Sequence, residues 1–462
     1  MYFKQLFDKK LAQYAYLIGC QATGEAIVID PMRDIDQYVA LAESENLKII
    51  AAADTHIHAD YVSGLREFAE KGVKVYASDE GGPDWQYEWL KESDYDYQLV
   101  HDDDTFSIGN IKFEVMHTPG HTPESVSFLV TDSEAARKPM GILTGDFVFV
   151  GDVGRPDLLE TAAGIKGAME PAAKDLYHSV RAFKSLPVYL QVWPAHGAGS
   201  ACGKAMGSVP ISTVGYERQF SLAFRASKSE GQFVDYILDG QPEPPLYFGR
   251  MKKVNKEGPP ILTALPAPQK ISIEEMINSP GTIVDTRDGK AFMERHLPGS
   301  LLASYDDNGF NTVAGSYVEP DDDIYLIIEE KNLEQAVRDL VRVGLDHIKG
   351  YATPGDLRQW DGETNHIEVI DFEEVNRLRD SNDIQVLDVR KATEYQEGHI
   401  PDAENIAHTR LSEYLDELPR DKELLVHCAS GQRSSYASSL LTKAGFRLKC
   451  VIDDFSNWKN GK

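Results

Sequence analysis

The chain has 462 residues, 42% of them hydrophobic, and a formal charge of -27. That length calls for several domains with sizeable cores, and the acidic balance excludes nucleic acid and anionic membrane as partners, since both demand basic surface. No apolar run of 18 or more residues exists, so no membrane-spanning helix is expected. The stretch Met1 to Lys10 has no signal-peptide core, which makes the cytoplasm the expected location. Cys20, Cys202, Cys428 and Cys450 lie far apart and form no metal-binding spacing, so each is read as a free thiol in a reducing compartment.

Glu25 to Pro31 reads as a strand with a stop, and Asp36 to Asn46 has helical periodicity. The apolar run Leu47 to Ala53 reads as a buried strand. It leads into Asp54-Thr55-His56-Ile57-His58-Ala59-Asp60-Tyr61, where two histidines and an aspartate alternate at the strand's C-terminal end. The pattern is one residue short of His-x-His-x-Asp-His, because Tyr61 stands where a further ligand is expected. That gap points away from a two-metal hydrolase. Gly72 to Ala77, Ile142 to Asp146 and Val188 to Pro194 are further strands. Three more candidate elements lie at turns or strand ends: Gly120-His121-Thr122-Pro123, Gly145-Asp146 and Pro194-Ala195-His196-Gly197. Open α/β folds place their sites at such edges. A lone buried histidine is ordinarily a satisfied core residue, but several such loops together argue for a metal. His117 is read as structural.

This half resembles the metallo-β-lactamase superfamily, which implies an N-terminal αββα sandwich. The resemblance implies one site of His56, His58 and His121 and a second of Asp60, residue 61 and His196, with Asp146 bridging. Tyr61 weakens the second site, since a phenol with a pKa of ~10 is a poor ligand for a hydrolytic metal. The persulfide dioxygenase branch is the most similar. Its single iron, carried over, would be held by His56, His121 and Asp146, so one Fe(II) per chain is the expected cofactor. Two imidazoles and a carboxylate leave three coordination positions open, as in non-haem Fe(II) oxygenases. His58, Asp60 and His196 would then orient ligands or bind water. The resemblance also makes Arg155, in Gly154-Arg155-Pro156-Asp157, the substrate-binding candidate. Cys202 is either inert or a thiol near the persulfide entrance that receives or senses sulfur.

From about Gly240 to Gln269 the chain carries seven prolines, which suit a linker or a domain-wrapping loop. Beyond it lies an internal repeat. Ile283-Val284-Asp285-Thr286-Arg287 matches Val386-Leu387-Asp388-Val389-Arg390, and His296-Leu297-Pro298-Gly299 matches His399-Ile400-Pro401-Asp402. Asp285 to Asp388 and His296 to His399 are both 103 residues apart. Each copy then runs from an apolar strand into a helix, which makes two α/β domains.

In the second copy the strand leads into His427-Cys428-Ala429-Ser430-Gly431-Gln432-Arg433-Ser434-Ser435. Backbone N–H groups of such a loop form an anion cradle at a helix N-terminus. With Arg433 they should favour a thiolate and a persulfide anion. Tyrosine phosphatases place five residues between cysteine and arginine; here there are four, a tighter loop that suits sulfur. It resembles the rhodanese sulfurtransferases, as do Asp388-Val389-Arg390 and Gly398-His399-Ile400-Pro401. Cys428 is thus the expected nucleophile, with Ala429, Ser430, Gly431, Gln432 and Arg433 as its cradle. In the first copy the same place reads Ile328-Glu329-Glu330-Lys331-Asn332, without cysteine and about two residues short. That copy is expected to be inactive. Cys450 is read as inert core.

The expected layout is a metallo-β-lactamase-like domain at 1–245, a Pro-rich linker at 246–268, an inactive rhodanese-like domain at 269–362 and an active one at 363–462. The order resembles bacterial persulfide dioxygenase–rhodanese fusions. That resemblance implies oxidation of a low-molecular-weight thiol persulfide by O₂ to sulfite and thiol, followed by transfer of sulfane sulfur through Cys428 to sulfite, giving thiosulfate. The net effect would be sulfide detoxification. Glutathione, coenzyme A and bacillithiol are all open as the carrier, and a homo-oligomer, dimer or tetramer, is expected. The rival reading is a dinuclear zinc thioester hydrolase of the glyoxalase II type fused to a rhodanese.

Overall fold

The structure is a computed structural model that describes residues 1–162 and 164–460. The chain divides into two compact units, Met1–Thr263 and Ala264–Lys462.

The first unit is built on two six-stranded sheets. One runs in chain order through Tyr2–Asp8, Gln13–Cys20, Glu25–Ile29, Lys48–Ala53, Lys74–Ser78 and Tyr97–Val100. It is antiparallel up to Glu25–Ile29 and parallel from there on. The other runs Ser212–Thr213, Gln191–Pro194, Gly141–Gly145, Val126–Asp132, Ile111–His117, Thr105–Ile108. The two-residue period of a strand sorts its side chains between two cores. Tyr16, Ile18, Ile27, Ile29, Ala51 and Ala53 join Phe113, Phe128, Leu143 and Trp193 between the sheets. The alternate residues Leu17, Val28 and Ala52 pack outward against Tyr38 and Phe68 of the helices Asp36–Ser44 and Leu65–Glu70. The helices Met169–Phe183 and Glu230–Leu238 cover the second sheet in the same way. The layers are therefore helix, sheet, sheet, helix, as expected.

Two local expectations need correction. The strand expected from Val188 begins only at Gln191. Leu190 N donates to Pro187 O (3.1 Å) in a turn that leaves Val188 and Tyr189 exposed. The stretch expected to be a Pro-rich linker, 246–268, contains a ten-residue helix, Phe248–Glu257, that packs into the first unit. Met251 and Asn255 are buried, and the Asn255 amide donates to His58 O (2.9 Å) and Tyr61 O (2.7 Å). The prolines flank this helix and none lies inside it.

The second unit holds two five-stranded, all-parallel sheets of the same order. One is Gln269–Lys270, Ile348–Ala352, Ile324–Ile327, Thr282–Asp285, Leu301–Leu302; the other is Val369–Ile370, Leu448–Val451, Glu423–His427, Ile384–Asp388, Glu404–Asn405. The repeat read from the sequence is thus a repeat of topology. Both modules belong to one compact unit: Leu302 N donates to Ser439 Oγ (2.9 Å), and Tyr436 OH donates to Asp307 Oδ2 (2.5 Å). Among the described residues, no helix is long and apolar enough to cross a membrane.

Candidate functional site

In the first unit, the ends of strands converge. His56 follows Lys48–Ala53, His121 sits in the turn before Val126–Asp132, and Asp146 directly follows Gly141–Gly145. All three are buried, and one ligand atom from each lies within 4.8 Å of the others. His121 Nε2 is 3.5 Å and His56 Nε2 3.9 Å from Asp146 Oδ2. The other ring nitrogens are fixed: His56 Nδ1 lies 3.0 Å from Thr55 Oγ1, and His121 Nδ1 lies 3.1 Å from Arg155 O. Glycine makes the approach possible. Gly145 has φ +53°, and a Cβ there would strike Thr55 Oγ1; a Cβ on Gly154 would overlap the carbonyl of Asp146.

The electrostatics suit a cation. Burial, then His58, holds the His56 pKa well below its usual value; burial, then Lys252, pushes that of His121 down to about 3. Both rings are neutral at physiological pH, with a lone pair to offer. Burial pushes the Asp146 carboxyl up to about 6, and neither of its oxygens has a hydrogen-bond partner. A buried carboxylate with two unsatisfied oxygens facing neutral imidazoles is costly unless a positive ion completes it. The donor set thus fits a metal.

The remaining histidines sort differently. Burial works against a charged His58, but hydrogen bonding to Asp30 and the charges of Asp30, Asp54 and Asp60 outweigh it, and its pKa rises to about 9. Its Nε2 lies 3.2 Å from Asp30 Oδ1 and 3.0 Å from the Tyr61 hydroxyl. Tyr61 donates in turn to Asp30 O (3.2 Å) and accepts from Gln13 Nε2 (3.2 Å). Tyr61 and Asp30 together hold His58 by its Nε2, while its Nδ1 is buried without a hydrogen-bond partner. His196 Nε2 stands 3.4 Å from Asp60 Oδ2 and 3.3 Å from Asp146 Oδ1. Asp60, His196 and Cys202 form a second buried cluster of donor atoms within 4.8 Å. Burial, followed by Asp146 and Asp60, holds the Cys202 thiol pKa well above its usual value, so it is a neutral thiol beside the candidate centre.

Arg155 departs from its expected part. It is buried, and its guanidinium is spent internally: Nε and Nη2 donate to Asp157 (2.9 and 2.6 Å), Nη1 to Ala201 O (3.1 Å) and Nη2 also to Pro242 O (2.6 Å). It fastens the loop that carries His121's acceptor. His117 contacts Pro123 O at 2.8 Å, in keeping with a structural part. Asp30, Glu124, Lys252 and Asn255 were missed from sequence. Asp30 could have been suspected: it ends the strand Glu25–Ile29, directly before Pro31, and adopts φ +51°.

In the second unit Cys428 follows the strand Glu423–His427 and is buried. Ala429, Ser430 and Gly431 turn the chain into the helix Gln432–Lys443. Gly431 has φ +99°, and its N–H donates to Cys428 Sγ (3.2 Å); a Cβ there would meet Ile452. Ser434 Oγ lies 3.5 Å from the sulfur. Arg433 interacts electrostatically with Cys428, but its hydrogen bonds go elsewhere. Its Nη1 and Nη2 donate to Glu394 (2.5 and 2.8 Å), a bidentate pair. Burial opposes the charge on Glu394, yet Arg433 holds its carboxyl below the usual range. Gln432 and Tyr436 both donate to Asp307, which comes from the preceding module. Cys450 is buried, and burial pushes its thiol up to about 11, as inert core requires.

Two families match the chain: the metallo-beta-lactamase superfamily over residues 9–196 and the rhodanese-like domain over residues 371–461. The mitochondrial persulfide dioxygenase ETHE1 of Bos taurus is 30% identical over 197 residues, which are 42% of this chain and 67% of that protein. A probable polyketide biosynthesis zinc-dependent hydrolase, BaeB, of Bacillus velezensis is 25% identical, over 48% of this chain and 92% of that protein. A crystal structure of a metallo-beta-lactamase from Staphylococcus aureus subsp. aureus COL superposes with a TM-score of 0.68 at 41% identity, covering 77% of this chain and 98% of the other. The chain belongs to the metallo-β-lactamase superfamily, where persulfide dioxygenases are among its homologues, and it carries a rhodanese-like domain at its C-terminal end, the makeup of a persulfide dioxygenase–rhodanese fusion.

Proposed function

We propose that the chain oxidises a low-molecular-weight thiol persulfide at the first site and transfers sulfane sulfur at the second. The observation that carries the reading is the contrast between two histidines of one motif. His56 Nε2 faces Asp146 and His121, while His58 Nε2 is tied to Asp30 and Tyr61. His56, His121 and Asp146 thus form one set of two imidazoles and a carboxylate. His56, His121 and Asp146 would hold one Fe(II), which supplies the redox chemistry that couples O₂ to sulfur oxidation. The balance is R–S–SH + O₂ + H₂O → R–SH + SO₃²⁻ + 2H⁺, with four electrons passing from sulfane sulfur to O₂. Thr55 and the Arg155 carbonyl fix the two rings by their outer nitrogens. Asp60 and His196 stand against Asp146.

At the second site the Cys428 thiolate attacks the terminal sulfur of a persulfide, the S–S bond breaks, and R–S⁻ leaves and takes up the proton. Sulfite then attacks the outer sulfur of the cysteine persulfide, thiosulfate leaves, and the thiolate returns. The Gly431 N–H points at the sulfur and the helix start adds positive potential. The module 269–362 is an inactive rhodanese-like domain, and 363–462 the active one. The location is cytoplasmic and the assembly a homo-oligomer, dimer or tetramer.

Product analysis tests the coupling. With a persulfide and O₂ the native chain should yield thiosulfate. Cys428→Ser should consume O₂ at the same rate but release sulfite in its place. Undiminished thiosulfate from the variant sinks the coupled scheme.

A dinuclear zinc hydrolase has one observation in its favour. Asp60, His196 and Cys202 gather around a point beside Asp146, and Asp60 Oδ2 and His196 Nε2 lack hydrogen-bond partners. Metal counting separates the two.

A further inference from the structure

One sizeable cleft in the first unit is left unused by both sites. It encloses about 760 Å³ between the helix Phe248–Glu257, the helix Met169–Phe183 and Trp85. Pro123, two residues beyond His121, forms part of its wall, so the cleft adjoins the candidate metal centre. Its lining is mainly apolar: Leu159 and Ala172 are buried, and Ile165 is 45% exposed at the edge.

Three lysines reach this cleft, and they are not equivalent. Lys253 pairs with Glu257 (3.9 Å) and Lys256 with Glu88 (3.2 Å). Lys252 pairs with no carboxylate among the described residues. Its ammonium lies 4.2 Å from the centre of the Trp85 ring. Burial pushes its pKa down to about 8, with Glu124 resisting, so it remains largely charged at neutral pH. Asp84 and Asp175 stand at the exposed rim. The charge of Lys252 is also felt by His56 and His121. A desolvated ammonium without an ion pair, set over an aromatic ring beside apolar surface, is a binding element for an anion attached to an apolar body. In a chain of charge -27 it is a local exception.

We propose that this cleft holds the carrier part of the persulfide, a low-molecular-weight thiol bearing a carboxylate or phosphate. Lys252 receives the anionic group, and Trp85, Leu159 and Ile165 pack the rest. The proposal rests on the persulfide reading and assigns within it the residues that select the carrier: Lys252, held over Trp85, takes the acid group, so carriers without an acid do not bind.

Calorimetric titration of the full chain with reduced glutathione, coenzyme A and cysteamine tests this without reference to oxygen uptake. Glutathione offers carboxylates, coenzyme A phosphates, and cysteamine no acid. At least one of the first two should bind, and about ten-fold more weakly to Lys252→Gln; cysteamine should not bind either protein. Ile165→Asp, a change at the exposed edge, should weaken the same ligand by repulsion, and it decides the matter if Lys252→Gln fails to fold. Equal affinity for Lys252→Gln overturns the proposal, and so does failure of both acidic thiols to bind the native chain. Tight binding with no oxygen uptake would sink the dioxygenase reading and leave this site standing.

Discussion

The two modules of the second unit share a framework and differ at one loop. In the first, Arg287 clamps Asp285 (Nε–Oδ1 3.0 Å, Nη2–Oδ2 2.7 Å) and donates to Arg295 O (2.6 Å); in the second, Arg390 clamps Asp388 (2.9 and 2.6 Å) and donates to Gly398 O (2.9 Å). His296 stacks on Phe292 and bonds to its carbonyl (2.9 Å); His399 does the same to Tyr395 (2.9 Å). Register pairs Asp285 with Ile327 and Asp388 with His427, so Ile328 occupies the place of Cys428. Beyond that point the paths part. In the first module a 3₁₀ turn, Glu330–Asn332, runs into the helix Leu333–Arg342, whereas in the second the chain enters the helix Gln432–Lys443 directly from the turn at 429–431. A 3₁₀ turn without cysteine thus stands where the second module has its Cys428 turn. The Asp–Arg clamp and the stacked histidine are common to both modules, and the loop is where the two differ.

The largest test of that division is Cys428→Ser. It should cut thiosulfate:cyanide sulfurtransfer on the order of a thousand-fold or more, the scale on which losing a covalent nucleophile costs an enzyme. Activity left in the variant would mean that the first module is not silent.

Breaking the shared clamp should act on stability instead. Asp388→Asn and Asp285→Asn each leave a largely buried guanidinium without its partner, which costs about 3 kcal/mol in denaturant unfolding. The folded fraction should keep its sulfurtransferase rate. Lost activity at unchanged stability in Asp388→Asn would move the clamp into the chemistry.

The cleft of the first unit gives a smaller, pH-dependent effect. S-Methylglutathione has no titrating thiol. Its affinity should fall about ten-fold as pH rises from 7 to 9.5, because the Lys252 ammonium loses its proton through about 8 and with it a charge-assisted bond. Glu124 faces this ammonium from inside, and Lys253, Lys256, Asp84 and Asp175 share the cleft. A flat profile counts against Lys252 as the anion partner.

The smallest expected change is none: Ile328→Cys should bring no sulfurtransferase activity to a Cys428→Ser background. Any gain would show that the missing thiol, and not the missing cradle, silenced the first copy.

The sequence made legible what depends on short range. His56, His121 and Asp146 stand at strand ends, and they meet where the end of Lys48–Ala53 in one sheet comes up against the turn before Val126–Asp132 and the end of Gly141–Gly145 in the other. The repeat was visible because its framework residues recur in fixed register. Long-range partners were hidden. Asp30 reaches His58 from another strand, and Glu394 takes up Arg433 from 39 residues away. The helix Phe248–Glu257 was masked by prolines on both sides. Its signal lay in the Pro-free interval, with Phe248, Met251 and Asn255 on one face. Arg155 looked available because sequence shows a charge but not the Asp157 and Pro242 oxygens that consume it.

The central claim is a single redox metal between His56, His121 and Asp146. Elemental analysis of the purified chain, run beside an oxygen electrode charged with glutathione persulfide, measures it directly. One iron per chain with oxygen uptake matched by sulfite plus thiosulfate is the predicted result; two zinc ions per chain with oxygen untouched would contradict it.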